Sequence, residues 1–177
     1  MRALILAAWL TLPTPPAEDA VDGKPWSLSV GVTAISMEHE EEQFRDESFA
    51  GFGINLTRVF MEAGGYQLAA RGSYARLGHS SLSELDITAL EGNLLVGYRL
   101  DLSGIRAYAS AGLFTEDWDH GDSSRNHSGL QLGGGFGYAW ERLVVELGLD
   151  LRQASQYDLD SDSMSVYAAE LTAGYRF

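Results

Sequence analysis

Residues 170–177, with the sequence ELTAGYRF, form the stretch that decides the fold. Leu171, Ala173, Tyr175 and Phe177 occupy every second position, which is typical of a β-strand with one apolar face. The last residues of a soluble domain usually fray into water. A strand that stays apolar on one face up to a final aromatic ring therefore predicts an apolar environment outside that strand.

Seven earlier runs repeat this two-residue period. With the last run they span residues 26–34, 52–60, 66–74, 90–100, 105–114, 130–140, 143–152 and 167–177. Each run has about the 9 to 11 residues that a tilted strand needs to cross a bilayer. Long polar connections, at 38–48, 78–86, 115–127 and 153–164, alternate with the tight turns EAGG, DLSG and WER. This rhythm predicts an up-and-down barrel with its long loops at one end and its short turns at the other.

The two strand faces distinguish a soluble barrel, apolar inside, from a membrane barrel with the faces reversed. One face carries the bulky apolar residues, and the other carries many glycines among Ser, Thr, Asn and charged residues. Glycine weakens a water-facing strand, whereas the interior of a narrow eight-stranded cylinder has room for only some side chains. Aromatic residues on the apolar face also cluster beside the short turns, as in an interfacial girdle. The sequence therefore predicts an all-β, eight-stranded antiparallel up-and-down transmembrane β-barrel.

The composition excludes several other classes of protein. The 177 residues suit one domain, and 20 glycines with only 4 prolines favour sheet. Because the chain has no cysteine, it can hold neither a disulfide nor a thiolate metal site or nucleophile. The net charge of -13 argues against nucleic acid as a partner, because binding a polyanion needs a basic surface.

The N-terminal residues 1–20 predict a secretory signal peptide. One basic residue precedes an apolar stretch over 3–12, which is followed by a proline-rich segment. Cleavage is expected near Ala17 or Ala20, although neither position gives a clean small-x-small site. The alternative of a membrane anchor needs about 20 apolar residues, and this stretch is much shorter. The barrel domain is predicted over 25–177.

Three motifs carry a resemblance to a known family: YASAGL in the fifth run, LGGGFGYAW in the sixth, and the closing GYRF. With the strand rhythm, they resemble the OmpA-like superfamily of small eight-stranded outer-membrane β-barrels of Gram-negative bacteria. That resemblance implies an outer-membrane location and a monomer, with lipids, lipopolysaccharide and the barrel assembly machinery as partners. It also implies that Tyr175 and Phe177 form the assembly signal. No cofactor is expected.

The second strand face places charged residues inside the predicted barrel. They are Arg71, Glu91, Arg99, Arg106, Glu146, Asp150, Arg152, Glu170 and Arg176. Unpaired charges would be costly there, so the arginines and carboxylates are expected to pair in a polar network that plugs the lumen. The alternative is an ion path or gated pore, but an eight-stranded barrel is only wide enough for its own side chains.

The long loops are predicted to be extracellular and acidic. Their carboxylates lie at Glu38, Glu40, Glu41, Glu42, Asp46, Glu47, Glu116, Asp117, Asp119, Asp122, Asp158, Asp160 and Asp162. Carboxylate oxygens suit Ca²⁺ or Mg²⁺, including the ions that bridge lipopolysaccharide phosphates, but no stretch matches an EF-hand loop. The simpler interpretation is a set of solvated loops whose charge opposes aggregation.

The predicted role is structural, or an interaction with surface partners through these loops. One alternative is a lipid A modifying enzyme of the deacylase type, which needs a serine activated by histidine and an acid. His79 with Ser81 is the candidate pair, with Glu84 or Asp86 as the acid. The adjacent His127 and Ser128 would point to opposite faces of a strand. A second alternative is a narrow ion-conducting barrel.

Overall fold

The computed structural model describes residues 23–39, 47–79, 85–120, 123–153 and 164–177. The predicted signal peptide lies outside these residues, and so do most of the acidic loop residues. Among the described residues, no helix is long and apolar enough to cross a membrane.

Eight antiparallel strands form one closed barrel, in which each strand pairs with its neighbours in sequence and β8 pairs with β1. The strands are β1 (Trp26–His39), β2 (Glu47–Ala63), β3 (Tyr66–His79), β4 (Leu85–Tyr98), β5 (Gly104–His120), β6 (Ser123–Ala139), β7 (Leu143–Arg152) and β8 (Met164–Arg176). Ring closure leaves no sheet edge, so every strand has two hydrogen-bonding neighbours. The predicted eight-stranded up-and-down topology is confirmed.

The apolar face of each predicted strand points outward, as expected. Phe52 is 78% exposed and Ile105 is 71% exposed, while Asn55 and Arg106, on the opposite face of the same strands, are buried inside the barrel. Leu100 is the exception, because it is only 2% exposed. It follows Arg99, whose φ of 57° lies in the left-handed region, so the strand alternation ends before Leu100.

The polarity of the two faces inverts near the long-loop end of the barrel. In β1, the inward residues change from Ser29 and Thr33 to the buried Ile35 and Met37. At the same level the outer face becomes polar, as with Arg76 on β3. We call this part of the barrel, which includes Ile35 and Met37 on β1 and Arg76 on β3, the collar. A surface that is apolar outside suits lipid, whereas one that is polar outside suits water, so the collar lies beyond the apolar belt.

The connection predicted as a long loop at 115–127 is mostly strand. β5 and β6 pair continuously from Gly104 with Ala139 to His120 with Ser123. The prediction of a loop is therefore wrong here, and these two strands of 17 residues exceed the 9 to 11 or so needed to cross a bilayer. The extra residues build one side of the collar.

Candidate functional site

The lumen holds the charged residues, and its contents change along the barrel axis. At the long-loop end, ten buried residues form one hydrophobic cluster inside the collar, which we call the apolar layer. These residues are Ile35, Met37, Phe49, Ala75, Leu77, Ile87, Ala89, Phe114, Val166 and Ala168. Trp118 packs against the layer and lies 5.0 Å from the ring of Phe49. The sequence-based predictions place no apolar core inside the barrel, so this layer is an addition to them.

An arginine joins two carboxylates beside the apolar layer. Arg152 forms ion pairs with both Glu91 and Glu116. Its guanidinium also lies 4.9 Å from the centre of the ring of Phe114, a member of the apolar layer. Trp118 donates a 2.9 Å hydrogen bond from its Nε1 to Glu116. Glu116 is therefore a lumen residue, and its assignment to a solvated loop is wrong.

Below this group, two carboxylates line small cavities in the middle of the lumen. Asp150 accepts a 3.0 Å hydrogen bond from the Ser110 hydroxyl, and Glu170 accepts one of 2.6 Å from Asn55 Nδ2. Both acids and Glu91 line two cavities of about 10 Å³ each, which is roughly the space for one water molecule. Neither acid forms an ion pair in the part of the chain that the structure describes.

A second ion-paired group lies closer to the short turns. The Arg71 guanidinium contacts Glu146 at 3.0 Å, and it also donates to the Tyr108 hydroxyl at 2.8 Å and to Thr57 at 2.9 Å. Arg106 lies 3.5 Å from the same Glu146 carboxylate, so two arginines share one acid. Charge-assisted hydrogen bonds of this kind lock the side chains that make them.

Glycine makes room for this second group. Tyr108 projects from β5 across Gly135, where an added Cβ would lie 2.5 Å from the tyrosine ring and its hydroxyl. The Gly135 position also faces Leu147 of β7, whose carbonyl oxygen would lie 2.6 Å from that Cβ. The glycines of β6 therefore provide the space in which the aromatic ring and its arginine meet.

The short-turn end of the lumen is closed by turns and by the segment before β1. Arg176 donates to the Asp101 and Trp140 carbonyl oxygens, and Gln67 hydrogen-bonds with Asp101. The Lys24 backbone amide donates to Asp101 O at 3.1 Å, which draws the segment before β1 across this end. A cavity of about 330 Å³ remains between these residues and the turns.

The structure thus brings together most of the predicted interior charges. Seven of them lie in the groups just described: Arg71, Glu91, Arg106, Glu146, Asp150, Arg152 and Glu170. Arg99 does not join them, because its guanidinium donates to the Ser103 carbonyl oxygen in the turn between β4 and β5. That placement corrects the prediction. Sequence reasoning missed Glu116, although its even spacing from Arg106 along β5 would have placed it on the inner face.

The candidate catalytic residues do not form a described triad. Ser81 and Glu84 lie outside the described residues, and the His79 ring packs edge-on against Phe49 at 5.0 Å. Asp86 pairs with Arg76 at 2.7 Å on the outer surface of the collar, and this hydrogen bond and charge raise the pKa of Arg76.

The second histidine candidate is separated from its serine. His127 is buried against Trp118, whereas Ser128 on the other strand face is exposed, as the alternation predicts. Within the described ranges, no three His, Cys, Asp or Glu side chains form a group that could hold a metal ion. The predicted metal ligands in the loops lie mainly outside those ranges.

The aromatic residues of the last strand lie on the outer surface. Tyr175 and Phe177 are both exposed, and their rings stack with centres 6.4 Å apart. Tyr138 and Trp140 form a similar outward pair at 4.9 Å on β6 and the turn after it. These rings form the girdle that the sequence predicts at the short-turn end. The assignment of Tyr175 and Phe177 as an assembly signal stays a prediction.

Comparisons with known proteins agree with this architecture. Ail, the attachment invasion locus protein of Yersinia pestis, is 17% identical, with a TM-score of 0.61, over 89% of this chain and 100% of Ail. Neisserial surface protein A is 17% identical with a TM-score of 0.52, over 88% of this chain and 98% of that protein. At these identities the likeness shows the fold alone. No curated protein matches the chain.

The family model for the outer membrane protein beta-barrel domain matches residues 4–177, which is nearly the whole chain. The closed eight-stranded barrel and its apolar outer belt agree with that family. The predicted outer-membrane location is confirmed. This chain belongs to the outer membrane protein beta-barrel domain family and is a bacterial outer-membrane protein.

Proposed function

We propose that this protein is a closed, non-conducting outer-membrane barrel whose role is structural or interactive. The observation that carries the proposal is the apolar layer. Its ten side chains come from six of the eight strands, β1 to β5 and β8, and occupy the lumen inside the collar beside the Arg152 ion pairs. An ion crossing this level would have to lose its hydration among apolar side chains and charges that are already paired with one another, which is unfavourable.

The ion-paired groups of the lumen support the same proposal. Arg71 and Arg152 each bind acids on other strands, so their side chains hold fixed positions across the lumen. The two cavities of about 10 Å³ between them each have space for about one water molecule. The strands are therefore cross-linked from within, which suits a rigid scaffold.

Interaction with surface partners would use the collar and the loops above it. The polar outer surface of the collar lies beyond the apolar belt, and the predicted extracellular loops add many carboxylates. One Ail structure contains the heparin analogue sucrose octasulfate, a polyanion. This chain has a net charge of -13, so we propose that its loops prefer cationic partners or divalent ions to polyanions.

Planar-bilayer recording tests the closed state. The wild-type protein, with its insertion verified in the same membranes, is expected to give no steady conductance. Phe114→Ala should raise ion leakage because it opens the apolar layer, whereas Phe136→Ala removes an equal volume from the lipid-facing surface and should not. Steady conductance in the wild type would replace this proposal with that of a narrow ion-conducting barrel.

A further inference from the structure

We propose that the middle of the lumen binds one calcium ion between Asp150 and Glu170. This inference is independent of the proposed closed state, because it concerns a site within the polar network. The two acids lie on neighbouring strands, where Asp150 pairs with Ala168 and Glu170 with Gly148, so they are diagonal neighbours on the inner face. Both line the same cavity of about 10 Å³.

The ionised side chains around this cavity carry a surplus of negative charge. Three arginines (Arg71, Arg106 and Arg152) and five carboxylates (Glu91, Glu116, Glu146, Asp150 and Glu170) occupy the middle of the lumen. The arginines pair with Glu91, Glu116 and Glu146, which leaves Asp150 and Glu170 as a surplus of two negative charges. Burying uncompensated charge is costly, so a bound divalent cation would remove a large penalty.

An unpartnered amide oxygen provides a second, independent indication of a ligand. Asn55 is 1% exposed and lines the cavity, and its Nδ2 donates to Glu170. Its Oδ1 is buried and has no hydrogen-bond partner among the described residues. A buried acceptor normally has a donor or an ion beside it. Thr33 and Ser73 also line the cavity, so most of its lining residues carry side-chain oxygen atoms.

These donors select the class of ion. Carboxylate, amide and hydroxyl oxygens are ligands for hard cations, and two carboxylates match a charge of two. Because Mg²⁺ keeps several of its waters, it does not fit a cavity with space for about one water molecule. Ca²⁺ loses water more readily and accepts irregular arrangements of oxygen ligands. The expected ligand set is therefore two carboxylates with amide and hydroxyl oxygens.

The experiment is denaturant unfolding of the full protein in detergent, refolded either with CaCl₂ or with EDTA. If one ion binds the folded state, each tenfold rise in free Ca²⁺ above the dissociation constant should raise the folded-to-unfolded ratio about tenfold. Mg²⁺ at the same concentrations should have little effect. Native mass spectrometry should show one Ca²⁺ that is absent from the lumen variant described next.

Asp150→Asn with Glu170→Gln removes the proposed ligands and leaves every loop carboxylate in place. This variant should unfold at the same denaturant concentration in CaCl₂ and in EDTA, and in EDTA it should be at least as stable as the wild type. Asn55→Asp adds a carboxylate at the unpartnered oxygen and should bind Ca²⁺ more tightly. Asp117→Asn, on the exposed hairpin, is the control and should keep the wild-type response.

The proposal is overturned if Ca²⁺ does not change wild-type stability, or if the lumen variant keeps the calcium response. In the second case the ions bind the loops. A wild type that is stabilised only by lowering the pH would also overturn it, because the two acids would then be neutralised by protons.

Discussion

Replacing Glu146 with glutamine should destabilise the barrel more than any other single change of charge in the lumen. Glu146 is 3% exposed and is the shared acid for two arginines, Arg71 at 3.0 Å and Arg106 at 3.5 Å. The Arg106 nitrogens have no hydrogen-bond partner within the described part of the chain, so this acid is its one described ion-pair partner. Glu146→Gln keeps the shape of the side chain but leaves two buried cations without their counter-charge.

The size of the effect follows from the cost of an unpaired buried charge. Removing one partner of a buried ion pair typically costs about 3 to 5 kcal/mol. With an m-value of about 2 kcal/mol/M, the urea midpoint should fall by about 1.5 to 2.5 M. Tryptophan fluorescence of the protein refolded into detergent micelles or lipid measures the midpoint. Replacing Arg71 with methionine in the same chain should recover part of the loss, because one of the two unpaired cations is then removed.

The control for this prediction is Asp86→Asn, which breaks the 2.7 Å pair with Arg76 on the exposed surface of the collar. Water screens that pair, so the midpoint should hardly move. If Glu146→Gln behaves like Asp86→Asn, or loses less than about 1 kcal/mol, the lumen is hydrated enough to solvate both arginines. The account of the lumen as a rigid, dry cross-link would then be wrong.

Three further predictions test the outer face, the glycine face and the apolar layer. Leu94 faces lipid and is 61% exposed, so Leu94→Arg should cost about 2 to 4 kcal/mol of folding free energy in lipid. Thr88→Arg, near the collar, should cost less. Equal costs for the two variants would contradict the assigned position of the apolar belt. Gly135→Ala should destabilise the barrel because its Cβ meets Tyr108 and Leu147, while Gly72→Ala, with nothing within 4 Å, should be neutral or slightly stabilising in the same urea titration. Phe49→Ala should lower the free energy of unfolding by about 3 to 5 kcal/mol, because it opens a cavity in the apolar layer. If the variant unfolds at the same temperature as the wild type, the layer packs loosely.

The sequence was sufficient to predict the strands and their faces within the apolar belt. There the two faces differ strongly in composition, so the two-residue period is plain, as in the alternation of Leu171 and Tyr175 with Thr172 and Arg176. A side chain on the inner face of a closed barrel has few directions to point, so identifying the face also located most of the interior charges. The pairs themselves, such as Arg71 with Glu146, depend on the register across several strands, and the period of one strand does not contain that information.

The collar escaped prediction for a definite physical reason. Strand alternation continues through it, but the apolar residues change face, so Ile35 and Met37 fall on the side that is polar lower in β1. A search for one constant apolar face ends each strand at this inversion and assigns the remaining residues to a loop. The same reasoning assigned Glu116 to solvent, although it lies on the inner face of β5 and pairs with Arg152. The signal that would have revealed both is a strand whose two-residue alternation continues while its apolar residues change to the other face.

The inversion also explains how the charged lumen remains stable. Ion pairs gain strength as water is excluded, but a polar lumen open at one end would fill with water and weaken them. The apolar layer lies beside the Arg152 group at the long-loop end, and the guanidinium packs directly against its Phe114 ring. The layer therefore keeps water from the ion pairs, and the ion pairs hold together the strands that carry the layer. For this reason we expect the two to fail together: opening the apolar layer should weaken the lumen pairs as well as admit ions.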